Sequence, residues 1–271
     1  SLPFILLACF MAIFALNSCT QSTDKKADEN SKDKGNLTGQ LAEIPFSENS
    51  FLDQKATLLS GINDTVQKDN NGVSSQKSIL RMWKQKQSNV LNPIQQWMND
   101  QHFMQPYQGK PVFVFYPFSG PDFEFANTFY KEANTYVLCG LEPSGNDSAF
   151  LWNKNLNAKP FLTSAEEYFN YSDRLGFFRT LDMEKQFEKR GVIDIIALYI
   201  KRAGANLGDV RMYHWNTSKG SLDSVTSTQP ANVSYFKFKY PSGRVSELYY
   251  FSKNMADEVL QKDNLWLPWI S

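Results

Sequence analysis

The sequence predicts an α/β domain, and three features support that prediction. Apolar side chains recur at helical spacing before residue 110. Two continuously apolar stretches, PVFVFYPF from Pro111 and TYVLCGLE from Thr135, have the composition of strands that are covered on both faces. Three more strand-like segments follow residue 208, and Pro241-Ser242-Gly243 separates the last two as a hairpin turn would, which predicts antiparallel pairing.

The N-terminal third of the domain is expected to be helical. Residues 50–67 place their apolar side chains on one helical face, and the segment around Ile79 and Trp83 repeats this spacing. Asn92-Pro93 is expected to restart the helix, because asparagine is a good N-cap and proline at the first helical position loses no hydrogen bond.

The central segment predicts a strand-helix-strand unit. Residues 112–118 and 135–142 are expected to be adjacent parallel strands, joined by a helix that starts near Pro121. A unit of this length implies a right-handed crossover. A capping box from Thr163 to Glu166 predicts another helix, and amphipathic patterns predict helices over 181–190 and 192–204.

Composition limits the possible functions. The 271 residues carry 28 Lys plus Arg and 28 Asp plus Glu, so no net charge attracts nucleic acid, and no basic stripe interleaved with aromatic residues is present. Cys139 lies in an apolar strand, where a buried, inert thiol is expected. With two histidines and one usable cysteine in the domain, we expect neither a metal site nor a cofactor.

The first residues have the layout of an export signal. An uncharged apolar run extends from Leu2 to Leu16, small and polar residues follow at once, and Cys19 comes next. The run is shorter than the roughly 20 residues that a membrane-spanning helix needs, which favours a signal peptide over 1–18.

The segment from Leu16 to Cys19 resembles the lipobox of bacterial lipoproteins. That resemblance implies that the Cys19 thiol carries lipid, that residues 1–18 are removed, and that the membrane is a partner through the acyl chains. The charged segment that follows, which has no aromatic residue, predicts a disordered tether within 19–45 and a single α/β domain over 46–271. Thr20 after the lipidated cysteine favours the outer membrane of the cell envelope, and no protein partner is indicated.

Candidate ligand-binding residues follow the two central strands. The carboxyl ends of parallel strands form the usual ligand site of an open sheet, and here they carry Tyr116, Ser119, Asp122 and Glu142. Two acids at this edge would disfavour phosphates and suit a sugar-like or amine ligand. Structural roles remain open as well, since Ser119 could cap a helix with Asp122 in its first turn, and Glu142 could be a solvated strand end.

Two resemblances concern this central region. Glu142 lies about twenty residues after the first turn, where nucleotide-binding folds place a ribose-binding acid, so the segment resembles a degenerate Rossmann-like or class I methyltransferase-like sheet. The turn FSGPD has one glycine and lacks the rest of the cofactor fingerprint. The motifs YPFSGPD and GLEP also resemble an uncharacterised bacterial family, across about 110–252, which implies one domain and no particular activity.

Two functional hypotheses remain from the sequence. One is a lipid-anchored binding or scaffold protein. The other is an envelope hydrolase in which Ser119 is the nucleophile, His214 or His102 is the base, and Asp122 and Glu142 contribute acids. No G-x-S-x-G elbow is present, and His214 alternates with Val210 and Met212 on one strand face, which favours a structural histidine.

Overall fold

The computed structural model describes seven stretches of the chain, and all of them belong to one compact unit. They comprise residues 45–62, 73–117, 122–146, 151–152, 159–175, 191–225 and 230–270. The predicted signal, the predicted lipidation site Cys19 and most of the predicted tether lie outside these residues, as does the helix predicted over 181–190.

The N-terminal third is helical, as predicted. The helices are α1 (Ser50–Ser60), α2 (Val73–Lys86) and α3 (Asn92–Asp100), and a π-helical turn, Gln87–Leu91, joins α2 to α3 without a break. The prediction that Asn92 caps a new helix was wrong, because its backbone N–H instead bonds to Gln87 O inside the wider turn. A π turn at this point accommodates Pro93, which has no N–H to donate.

After α3, strands and helices are interspersed, and four strands then follow one another. In chain order they are β1 (Phe113–Tyr116), α4 (Phe123–Phe129), β2 (Thr135–Gly140), α5 (Lys159–Leu175), α6 (Ile193–Arg202), β3 (Asn206–Asn216), β4 (Ser221–Ser224), β5 (Val233–Lys239), β6 (Val245–Ser252), α7 (Asp257–Lys262) and α8 (Trp266–Ile270). Thr163 lies inside α5 and its hydroxyl bonds to Lys159 O, so the capping box predicted there does not start the helix.

One sheet of six strands has the order β1-β2-β6-β5-β3-β4. The first three are parallel, with Phe115 opposite Val137 and Val137 opposite Tyr249. The other three pairings, β6 with β5, β5 with β3 and β3 with β4, are antiparallel. The α/β fold class, the parallel central pair and the late antiparallel strands are therefore confirmed, whereas β4 was not predicted.

The two sides of the sheet bury different layers. On one side, Tyr136 and Leu138 of β2 pack in the larger core cluster with residues of α1, α2, α4, α5 and α6, and we call this the helical side. Val137 and Cys139 point the other way, into a smaller cluster that includes Trp266 and is closed by α7 and α8. We call this second layer the aromatic side. None of the described helices is long and apolar enough to cross a bilayer.

Candidate functional site

Asp122 stands at the start of α4, just beyond the carboxyl end of β1. It is the N-cap residue, and its Oδ1 accepts a hydrogen bond of 3.3 Å from the backbone N–H of Phe125. The sequence allowed Ser119 to hold this place with Asp122 in the first turn, and that assignment was wrong for Asp122. Ser119 itself lies outside the described residues. An aspartate at the cap satisfies an N–H that the helix leaves unbonded.

Burial controls the ionisation of the Asp122 carboxyl. Only 4% of the residue is exposed. Loss of hydration and the charge of Glu124 raise its pKa to about 8, although Lys86 and the Phe125 N–H act in the opposite direction. Near pH 7 this carboxyl is therefore mostly protonated, and it can donate a hydrogen bond as well as accept one.

A buried ion pair lies next to Asp122 in the helical layer. Glu124 of α4 accepts a 2.9 Å hydrogen bond from Lys86 Nζ of α2, and both side chains are at most 9% exposed. Its other oxygen, Oε1, has no hydrogen-bond partner among the described residues. Burial raises the pKa of Glu124, and this rise is opposed by Lys86, by the Tyr199 hydroxyl and by Arg202.

Arg202 completes this group of charges from the end of α6. Its guanidinium lies 5.2 Å from the centre of the Trp83 ring, and burial lowers its pKa to about 10. Its Nε and Nη2 atoms are buried and lack partners among the described residues. Sequence reasoning missed Lys86, Glu124 and Arg202, although an acid between two aromatic residues in PDFEF was a signal that could have identified Glu124.

Glu142 follows β2 and is 2% exposed, so the alternative of a solvated strand end was wrong. The Tyr250 hydroxyl of β6 lies 2.9 Å from the Glu142 carbonyl oxygen and 3.1 Å from its Oε2. Whether Glu142 lies beside Asp122 is a separate question. The groups that act on the pKa of Asp122 are Glu124, Lys86 and the Phe125 amide, and Glu142 is not among them. The placement of Glu142 beside Asp122 stays a prediction.

The segment after Glu142 is fixed by backbone contacts. Pro143 O accepts a 3.0 Å hydrogen bond from Val192 N, and Ser144 O accepts one of 2.8 Å from the Ser234 hydroxyl of β5. Gly191, at φ 71°, lies so close to Gly145 that a Cβ there would be 2.4 Å from Gly145 N. Only glycine fits at Gly191, so this loop is held firmly beneath the start of α6.

Tyr116 and His214 lie at distant places in the sheet. Tyr116 ends β1 and packs, half-buried, against the helical-side core, whereas His214 of β3 lies with its Nδ1 3.2 Å from Pro230 O. Four strand spacings of about 4.8 Å separate β1 from β3, so the two backbones are about 19 Å apart. The structure therefore does not bring His214 to Tyr116, and His102, at the end of α3, is at a third location.

The described residues contain neither a cluster of His, Cys, Asp and Glu that could bind a metal ion nor a reactive thiol. They contain no group of three or more His, Cys, Asp or Glu side chains that could hold a metal ion. Cys139 is buried, and loss of hydration raises the pKa of its thiol to about 12, so it is chemically inert at neutral pH.

Cavities lined by described residues occur on the N-terminal helices. One, of about 460 Å³, lies along α2 beside Lys77, Arg81 and Lys84. Another, of about 270 Å³, lies at the end of α3 around Met98 and His102. Neither is lined by Tyr116, Asp122 or Glu142.

Comparison of the chain with protein-family models, with curated proteins and with solved structures gave no significant match.

Proposed function

We propose that this protein is a lipid-anchored cell-envelope protein whose α/β domain binds a small neutral, hydroxyl-rich ligand at the carboxyl edge of β1 and β2. The anchor is supported by the sequence Leu16-Asn17-Ser18-Cys19, which follows an apolar run and precedes a polar segment. Acyl chains on Cys19 would contribute about 0.8 kcal/mol per buried methylene, so several chains hold a protein firmly to a membrane. Thr20 favours the outer membrane.

The observation that supports a binding role is the buried carboxyl of Asp122 at this edge, which is 4% exposed and caps α4, and whose pKa burial raises to about 8. A carboxyl that is both donor and acceptor suits a neutral hydroxyl group. It also removes one reason to expect an amine, since a protonated Asp122 carries no negative charge. A sugar-like ligand is the better choice of the two that the sequence left open.

A hydrolase is less well supported by the geometry. A serine nucleophile needs a histidine within hydrogen-bond reach, and the strand order separates His214 from β1 by about 19 Å. We therefore propose no catalytic role for Tyr116, Asp122, Glu142 or His214.

The anchor is tested by Cys19→Ala in the natural bacterial host. We expect loss of incorporated radioactive palmitate and release of the domain from the membrane fraction. Cys139→Ala is the matched control, because that thiol is buried and its loss should leave acylation unchanged. Membrane retention of Cys19→Ala without an acyl label would reject the lipid anchor.

The binding role is tested by saturation-transfer NMR with a panel of neutral mono- and oligosaccharides. We expect wild-type binding to weaken as the pH rises through about 8, because deprotonation removes the donor at Asp122. Asp122→Asn keeps an amide donor and an acceptor for the cap, so its binding should not depend on pH in that range. Asp100→Asn, on the exposed end of α3, is the control and should behave as wild type.

Glu142→Gln gives a second measurement at the same edge. The fold should be retained, since glutamine can still accept from the Tyr250 hydroxyl. Ligand affinity should fall by about 1–3 kcal/mol, the usual scale for a hydrogen bond to a charged group. Unchanged affinity in both Asp122→Asn and Glu142→Gln, at every pH, would place the ligand elsewhere.

A further inference from the structure

Two methionines and one histidine line the same cavity at the end of α3. The cavity has a volume of about 270 Å³, and Met98, His102 and Met104 contribute to its wall together with Phe103. Met98 is buried, Met104 is half-buried and His102 is exposed. The remaining wall is amide-bearing, from Asn99, Gln105 and Gln108, and no acidic side chain is among the described residues that line it.

The backbone turn brings these three residues together. The His102 N–H bonds to Asn99 O at 3.0 Å, and the Phe103 N–H bonds to Met98 O at 3.0 Å. This pair of bonds is the Schellman motif, which closes a helix by reversing the chain over its last turn. The reversal keeps residues 102–104 against the end of α3, so the side chains that follow the helix share a cavity with Met98.

His102 occupies the C′ position of this motif, which glycine takes most often and asparagine sometimes. Its φ is 51°, in the left-handed region. Closure of the helix explains why the backbone adopts this conformation. Glycine would adopt it at a lower energetic cost, because it has no Cβ. An imidazole held there at a conformational cost is an observation that the capping motif leaves unexplained, and strained residues of this kind concentrate at functional sites.

The chemistry of the three side chains selects one class of ligand. Thioether sulfur is a soft donor that prefers Cu(I), and imidazole also binds copper, whereas Mg²⁺ and Ca²⁺ require oxygen donors. Zinc sites in proteins use thiolate, imidazole and carboxylate donors. Two thioethers and one imidazole therefore match a soft monovalent cation.

We propose that Met98, His102 and Met104 form a binding site for a soft monovalent cation, Cu(I) or Ag(I). The proposal is independent of the sugar-like ligand, because this cavity shares no residue with the carboxyl edge. The exposed His102 is the side from which the cation enters, and the buried Met98 is the deepest donor.

The test uses the full chain in detergent, after alkylation of accessible thiols, with Ag(I) as a probe that does not change oxidation state. Carbon-13 labelling of the methionine methyl groups gives a direct readout. One equivalent of Ag(I) in chloride-free buffer should shift the methyl signals of Met98 and Met104 and leave those of the other methionines in place. Cu(I) affinity is then measured by competition with bicinchoninate.

Variants separate a binding role from a structural one. Met98→Leu and Met104→Leu keep apolar volume, and His102→Asn keeps a residue that tolerates the left-handed conformation. Each should weaken Cu(I) binding by about tenfold or more, the usual scale for a lost contact at a metal site. Met212→Leu and His214→Asn carry the same changes to β3, and they should bind as wild type.

Three results would overturn the site. They are absence of a one-to-one shift with Ag(I), shifts at methionines other than Met98 and Met104, and equal weakening in the β3 control variants. Thermal unfolding of each variant, followed by circular dichroism, shows whether the protein is folded in the binding assay. His102→Gly is expected to fold at least as well as wild type, so its loss of Cu(I) binding cannot be attributed to unfolding.

Discussion

On the helical side of the sheet, ionisable side chains are buried between α2, α4 and α6, whereas the aromatic side is filled mainly by rings. Lys86 pairs with Glu124 in the first layer, and Asp122 is buried next to them. In the second layer, Trp269 packs against Trp215 at 5.3 Å and against Phe251 at 5.5 Å between ring centres. The two layers should respond differently to pH and to substitution.

The aromatic layer contains two largely buried ion pairs among its described residues, Lys253 with Asp263 and Lys237 with Glu247, and the first has a clear structural role. Asp263 accepts a 2.7 Å hydrogen bond from the Trp215 indole N–H and a short one from Lys253. Lys253 also lies 5.2 Å from the centre of the Trp266 ring. These contacts tie the C-terminal helices to β3 and to the end of β6. Buried polar atoms without partners among the described residues occur in both layers. They are Glu124 Oε1 and Arg202 Nε and Nη2 in the helical layer, and Asp263 Oδ1, Trp266 Nε1 and Trp269 Nε1 in the aromatic layer.

The raised pKa of the buried Asp122 carboxyl indicates where a binding site should be sought. A buried group whose hydrogen bonds are all made serves the fold, whereas buried polar atoms without partners need another explanation, such as a ligand, an ordered water or a catalytic role. Both layers contain such atoms, but those of the helical layer lie beside Asp122, a buried carboxyl whose pKa is raised to about 8, and we therefore propose the binding site on that side.

The largest effect is expected from Lys86→Met. The change removes the ammonium group that pairs with Glu124 at 2.9 Å, so that only the charge of Arg202 and the Tyr199 hydroxyl then oppose the cost of burying that carboxylate. Breaking a buried ion pair in this way costs about 3–5 kcal/mol of unfolding free energy. Urea denaturation near pH 7 measures the loss.

Two controls sharpen that result. Lys84→Met, on the exposed face of the same helix, should change stability by less than about 0.5 kcal/mol. Adding Glu124→Gln to Lys86→Met should recover part of the loss, because a neutral amide then replaces the buried carboxylate. A Lys86→Met protein as stable as wild type would show that the ion pair contributes nothing to the helical layer.

The next effect concerns the pH dependence of stability. Burial raises the pKa of Asp122 to about 8 in the folded protein, whereas in the unfolded chain the pKa is near 3.8, the ordinary value for an aspartate. The stabilising contribution of its proton is complete below the unfolded value and is lost as the pH rises through the folded one. Asp122→Asn should therefore gain stability relative to wild type as the pH increases, reaching at least about 2 kcal/mol near pH 8.

The measurement is a series of urea denaturations at intervals between pH 4 and pH 8.5. At the acid end the two proteins should be nearly equal, because protonated aspartic acid and asparagine are similar at a helix cap. A constant difference across the series would mean that the Asp122 carboxyl titrates normally, and the contrast between the two layers would then lose its main support.

A smaller effect, independent of pH, is expected on the aromatic side. The Tyr235 hydroxyl of β5 donates a 3.1 Å hydrogen bond to Glu247 Oε1, and Lys237 pairs with the same oxygen at 3.0 Å. Tyr235→Phe removes one donor and leaves the ion pair, so we expect a loss of about 1–1.5 kcal/mol. Burial raises the pKa of Tyr235 far above neutrality, so the loss should be the same from pH 5 to pH 8. Tyr107→Phe, outside the sheet, is the control.

Much of the fold could be predicted from the sequence, because its strands are long apolar segments with clear ends. PVFVFYPF and TYVLCGLE indicated β1 and β2 and their parallel pairing, and Pro241-Ser242-Gly243 indicated the hairpin between β5 and β6. β4 was missed because its sequence, SLDS, has a single apolar residue and so lacks the pattern of a buried strand. It lies at the edge of the sheet, where it pairs with β3. The π-helical turn before Asn92 was missed because a capped restart accommodates Pro93 equally well.

The candidate site was only partly predictable, for a different reason. Asp122 was found from its place after a strand, but its neighbours come from distant parts of the chain. Lys86 precedes Glu124 by 38 residues, and nothing in the local pattern of α2 or α4 specifies that they meet. The same holds for His214, whose distance from β1 depends on the strand order. Local sequence shows which residues end a strand, but the arrangement of the helices and strands decides which side chains approach them.

The smallest effect is expected at the end of α3, where the cost of a left-handed backbone conformation can be measured without changing a buried charge. His102 holds a φ of 51°, and a left-handed conformation costs a residue with a Cβ about 1 kcal/mol relative to glycine. His102→Gly should therefore raise the free energy of unfolding by about 1 kcal/mol, and His102→Asn by less. Gln101→Gly, at the preceding position with a φ of −85°, should instead lower it.

If His102→Gly is destabilising, the imidazole makes contacts that outweigh its strained backbone, and the histidine is then explained by packing. If the stability rises while Cu(I) binding is lost, histidine is present at this position for its metal-binding side chain and at some expense to the fold.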